Sequence, residues 1–170
     1  SNMQFESKLP DVGTTIFTKM SKMANEYDAI NLSQGFPDFP VNPQLIEMVN
    51  HYMQAGHNQY APMPGHPKLR AAIATKTEVC SGWEPDVDAD ITVTCGAIEA
   101  IHSTIAALIG HGDEVIIMEP AYDAYEPIIN LHGGAAVGVP LRAKDYSIDW
   151  ELVWDAINEQ TKMIIINSPH

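Results

Sequence analysis

The 170-residue sequence predicts an α/β fold, a mainly parallel sheet with helices on both faces. Three observations carry that expectation. From residue 83 onward, short apolar runs alternate with helical stretches in even units, the pattern of strand–helix–strand crossovers. The runs Val115-Ile116-Ile117-Met118 and Met163 to Ile166 are continuous and largely β-branched, as in strands buried on both faces. Gly96 and Asp149 stand where a helix would begin, the second with a side chain suited to capping.

The elements follow in order. Residues 13–25 form a helix with a weak apolar face of Met20, Met23 and Ala24. INLSQGFPDFPVNP (30–43), dense in Gly, Pro, Asn and Asp, is an extended loop. Residues 43–56 are helical, because Leu45, Ile46, Val49 and Met53 recur at spacings of three and four and Gly56 supplies a stop. NQYAPMPGHPKL (58–69) is a proline-rich loop, and 69–79 an alanine-rich helix. DITVTC (90–95) is the first strand and GAIEAIHSTIAALIG (96–110) the helix after it, with Ile98, Ile101, Ile105 and Leu108 apolar. DEVIIMEP (113–120) and GAAVGVPL (134–141) are the second and third strands, separated by a helix over 121–132. Residues 149–159 form a helix capped by Asp149, and KMIIIN (162–167) is the fourth strand.

Three regions are expected: an arm at 1–30 that starts with a Ser1-Asn2 tag scar, loops and helices at 31–82, and the first part of the sheet domain at 83–170. No crossover helix follows the fourth strand, so the sheet domain reads as incomplete at its C-terminus.

Nine basic and 22 acidic residues give a formal charge of −13. That disfavours nucleic acid and anionic membranes as partners, since both are held by Lys and Arg. No apolar run reaches the ~18 residues of a membrane span, and no basic-then-apolar leader opens the chain. Cys80 and Cys95 are too few and too far apart for a disulfide framework or a zinc site, so no metal is expected. The expectation is a soluble, acidic, cytoplasmic domain.

Ligands of open parallel sheets bind at the carboxyl ends of the strands. Gly96, Ala97 and Ile98 open a helix there, where amides and the helix dipole suit an anion; an ordinary strand-to-helix turn reads the same way. Tyr122 follows Glu119-Pro120 and can either stack on a planar ring or pack on the next helix. His170 receives no role. Gly35, in SQGFPDF, and Tyr60, in the proline-rich loop, sit in rigid segments that can present groups to a substrate or serve as plain connections.

INLSQGFPDFP, NQYAPMPGHPKLRAAIA, TVTCGAIEAI, GDEVIIMEPAYDAYEP and IIINSPH, in that order, resemble the class I/II aminotransferases, pyridoxal-phosphate enzymes of fold type I. The resemblance covers nearly all of residues 28–170 and is greatest to the methionine and kynurenine (glutamine-type) branch. It implies a pyridoxal 5′-phosphate cofactor, amino-acid and 2-oxo-acid substrates, and a homodimer with a shared active site. Gly96, Ala97 and Ile98 match the turn whose amides hold the cofactor phosphate, and Tyr122 the aromatic stacked on the pyridine ring. Tyr60 matches a tyrosine that reaches the phosphate of the partner subunit, and Gly35 the glycine against the substrate carboxylate. Many relatives carry Thr or Ser where this chain has Ile98, so only a backbone amide carries over there.

None of Lys8, Lys19, Lys22, Lys68, Lys76, Lys144 and Lys162 matches the family's Schiff-base lysine. The segment therefore reads as an N-terminal part that is inactive without the missing part, left by a proteolytic nick with the remainder in a second chain, by design, or by a truncated gene. A cysteine-conjugate or cystathionine β-lyase on the same fold and cofactor, and a non-catalytic remnant, are the competing readings.

Overall fold

A computed structural model describes residues 6–35 and 37–170. Ser1 and Asn2, expected to be a tag scar, and Phe36 of the SQGFPDF loop lie outside the described residues. The chain divides into two compact units, one of Ser1–Lys19 with Gly96–His170, the other of Met20–Cys95.

In the second unit, α1 (Ile16–Glu26, whose first turn belongs to the other unit), α2 (Pro43–Gln54) and α3 (Pro67–Ser81) are the regular elements. Asn42 caps α2 by accepting the Gln44 amide at 2.9 Å, ahead of a proline in the first turn, where the missing N–H costs nothing. Its Leu45, Ile46, Val49 and Met53 stripe stays about half exposed within this unit. Helix α3 starts two residues earlier than its periodicity suggests, because Pro67 begins it and His66 Nδ1 accepts the Lys68 amide at 3.2 Å. It ends at Gly82, in the left-handed conformation.

The first expected strand, DITVTC, is not a strand. Its polar groups are taken by side-chain and loop partners rather than by a ladder. Arg70, 6% exposed on α3, donates its Nε to the Ile91 carbonyl at 3.0 Å, and the Val93 amide donates to Pro64 at 2.9 Å. Gly65 permits that approach: at φ +110° it favours glycine, and a Cβ there would lie 2.6 Å from Val93 Cγ2. Arg70 also donates to the Val87 carbonyl and pairs with Asp88 at 3.4 Å, so a single buried guanidinium ties α3 to residues 87–91.

The first unit holds α4 (Ala97–Leu108), β1 (Glu114–Glu119), α5 (Tyr125–Leu131), β2 (Ala135–Pro140), α6 (Trp150–Ala156) and β3 (Thr161–Ile165). Its sheet has three parallel strands in the order β2-β1-β3, not four. Central β1 buries Val115, Ile116, Ile117 and Met118, as its unbroken apolar run predicts. Alternation sends Val115 and Ile117 to one face, with Ile105 of α4 and Ile128 and Ile129 of α5. Ile116 and Met118 go to the other, with Val139 and Val153 of α6. Helices thus cover both faces.

β3 departs from expectation. It is an edge strand, and Ile164 and, just beyond it, Ile166 are 38% and 53% exposed rather than buried on both faces. Ile164 is in register with Ile116 and so shares the α6 face, but α6 packs over β2 and leaves that side of β3 open. Helix α5 begins at Tyr125, not 121, because the preceding residues form a turn closed by the Tyr125 amide on Tyr122 O at 3.1 Å. Helix α6 has its expected Asp149 cap, with the Glu151 amide at 3.2 Å. It stops at Ala156 because Asn158 turns the chain, accepting the Gln160 amide at 2.8 Å.

Candidate functional site

All three strands run parallel, so their carboxyl ends share one edge. Within the first unit, Tyr122 follows one of those ends, whereas Gly96, expected to close a strand, follows residues that form none and opens a helix. Gly96 is the N-cap of α4, with φ +93° and ψ 170° and no side-chain cap. A Cβ on Gly96 would meet no heavy atom within 4 Å, so open space lies beside the backbone where the helix begins. Ala97 adds only a methyl group, and the Ile98 side chain is exposed and brings no hydroxyl. Tyr122 follows the carboxyl end of β1. Its ring meets Tyr125 edge-on, centroids 5.7 Å apart at 73°, yet the residue remains 45% exposed. It thus touches the next helix and still presents surface to a ligand.

Gly35 and Tyr60 belong to the other unit. Tyr60 is fully exposed, and a Cβ at Gly35 would meet nothing within 4 Å. Lys162, the second residue of β3, pairs with Asp113 at 3.9 Å, ahead of β1, which puts it at the amino edge of the sheet. Arg142 is paired with Asp149 at 3.1 Å.

Sequence reasoning gave no sign of a cleft lined by residues that follow the carboxyl ends of β2 and β3. About 350 Å³ in volume, it is lined by Met118, Leu141, Tyr146, Ile148, Asn167 and His170, with Tyr146 and His170 stacked at 5.6 Å. Met118, Leu141 and Ile148 belong to the α6 face, so this cleft lies on the side of the sheet away from α4. Beside it, the Ser147 hydroxyl and then the Ser147 amide hold the Asp145 carboxyl below the ordinary aspartate range. A lowered folded value stabilises this loop at higher pH, and that contribution is lost as pH falls through the folded value. Ser147→Ala should therefore move the Asp145 titration upward, read from its side-chain carboxyl NMR shift. An unmoved midpoint would assign the effect to something other than the Ser147 hydroxyl.

Among the described residues, no helix is long and apolar enough to cross a membrane.

A parallel sheet sandwiched by helices, with a glycine-opened helix start and an aromatic after the central strand, suits an anion at the helix start and a planar group beside the aromatic. The family model for class I and II aminotransferases matches residues 27–170, and the chain belongs to that family. Its members depend on pyridoxal 5′-phosphate. The chain is 50% identical over 165 residues to the methionine aminotransferase of Escherichia coli strain K12, covering 97% of this chain and 43% of that protein. With human kynurenine–oxoglutarate transaminase 3 the identity is 33% over 174 residues, covering 96% of this chain and 38% of the relative. Among solved structures, a methionine aminotransferase from Escherichia coli superposes with a TM-score of 0.94 at 49% identity, over 99% of this chain and 44% of that one. A mutant aspartate aminotransferase of Thermus thermophilus superposes with a TM-score of 0.88 at 27% identity, over 99% and 45%. The chain spans less than half the length of these relatives.

Proposed function

We propose that this chain is the N-terminal part of a pyridoxal-phosphate-dependent aminotransferase that moves an amino group from an amino acid to a 2-oxo acid. The observation that carries the reading is Gly96, a positive-φ glycine opening a twelve-residue helix with open space beside it, in a chain of this family. Gly96, Ala97 and Ile98 hold the cofactor phosphate by backbone amides, assisted by the α4 dipole. Because Ile98 lacks a hydroxyl, the amides carry that task without the help a serine or threonine would give. Tyr122 lies against the pyridine ring and fixes its plane. Gly35 receives the substrate carboxylate with its backbone, and the exposed Tyr60 reaches the phosphate in a partner subunit, so the site is completed in a homodimer. The bound cofactor supplies the electron sink for the carbanion formed at the amino acid's Cα.

Proton transfer at Cα falls to a lysine outside these 170 residues, a reading supported by the lack of a match to the family's Schiff-base lysine at any of the seven lysines here and by the place of Lys162 at the amino edge. The amino donor is methionine or an aromatic or glutamine-like amino acid, a reading supported by the 50% identity to a methionine aminotransferase and 33% to a kynurenine transaminase. The protein acts in the cytoplasm, a reading supported by the acidic composition and two cysteines.

The test is the full-length protein, incubated with methionine, kynurenine or glutamine and a 2-oxo acid. Cofactor-dependent formation of the new amino acid is expected. Release of pyruvate and ammonia from cysteine conjugates without amino transfer would make it a β-lyase instead, and neither reaction would leave a remnant.

A further inference from the structure

His102 on α4 and His132 at the end of α5 bring their Nε2 atoms within 3.3 Å of each other. Their ring centroids are 4.9 Å apart and their planes cross at 69°, so the rings meet at an angle rather than head-on. Without a bound ion, such a pair holds together only if one nitrogen donates and the other accepts.

The spacing suits a different arrangement equally well. Two imidazole nitrogens at ~2.0–2.1 Å from one zinc ion, at a tetrahedral angle, stand roughly 3.3 Å apart. We propose that His102 and His132 form a two-histidine site for a divalent transition-metal ion of the zinc type, separate from the phosphate turn at Gly96.

Three features favour it. Both histidines are anchored at the rim of a packed core: Ile105 lies one turn after His102 and Ile129 three residues before His132, and both isoleucines are fully buried. The ligands are therefore held before the ion arrives, and little ordering remains to be done. Both histidines are half-buried, so water can reach the ion and fill its remaining positions. Imidazole is a borderline donor that selects zinc, copper and nickel over magnesium or calcium. Among the described residues no group of three or more His, Cys, Asp or Glu side chains is assembled, so the site has two protein ligands, with water as the rest. Two ligands and an open coordination sphere describe a modest-affinity site rather than a closed structural one.

The test is calorimetric titration of the full-length protein with zinc chloride, alongside the histidine ring proton signals in NMR. One zinc per chain is expected, with the His102 and His132 ring signals moving together. His102→Gln or His132→Gln should weaken binding at least tenfold, while His57→Gln leaves it unchanged. Zinc that binds with the same affinity in both variants, or moves neither ring signal in the unmodified chain, overturns the proposal. If either glutamine variant is misfolded by circular dichroism, the ring signals of the unmodified chain decide alone. A chain that binds no zinc keeps the pair as a hydrogen-bonded tie between α4 and α5 and also overturns it.

Discussion

Ile129→Ala is expected to destabilise the sheet-bearing unit by about 4 kcal/mol. Ile129 has no exposed surface and stands on α5 against Ile105, Val115 and Ile117. Truncation removes buried methyl groups and leaves a cavity that α5 cannot close, because Gly134, just past the helix, offers no side chain to move in. Ile129→Val, which removes one methylene, should cost only about 1 kcal/mol. Leu108→Ala, on an exposed position of α4, should cost less than about 1 kcal/mol. Urea unfolding followed by circular dichroism would rank the three. A loss at Ile129 no larger than at Leu108 would contradict the assignment of the α4–α5 core.

Arg70→Met is the second large effect, and it falls on the other unit. The methionine fills much of the arginine's volume but leaves the Ile91 and Val87 carbonyls without their donor and Asp88 without its partner. Asp88 is solvent-exposed, so its loss counts for little, and the two orphaned carbonyls set the magnitude at about 3 kcal/mol. Amide hydrogen exchange in α3 and residues 87–93 should quicken by roughly a hundredfold, the ratio that free energy implies. Unchanged exchange there would mean that the guanidinium ties nothing together.

Arg70 also shows where the sequence was hard to read. DITVTC has the β-branched composition of a strand, but composition cannot reveal whether a ladder partner or a buried arginine will take its backbone groups. The run MIII was legible as a strand, and its partial exposure is that of 170 residues which span less than half the length of the relatives. Central β1 was legible because its neighbours on both sides and both faces agree with its run. The Asp149 cap was legible because a capping side chain acts on its own helix, within three residues. At the candidate site, Tyr122 was legible as a turn residue after a strand, and the helix start at Gly96 was legible although DITVTC before it forms no strand. His102 and His132 were not, because thirty residues separate two histidines that meet only once α4 packs on α5.

The measurement closest to the central claim compares pyridoxal 5′-phosphate with phosphate-free pyridoxal on the full-length protein and on its Gly96→Val variant. Valine at φ +93° strains the turn and puts a side chain into the open space beside the first amides of α4. If that turn holds the phosphate, the variant should lose at least tenfold in affinity for pyridoxal 5′-phosphate and keep its affinity for pyridoxal. Equal losses for both compounds, or no loss for either, would contradict a phosphate site at Gly96.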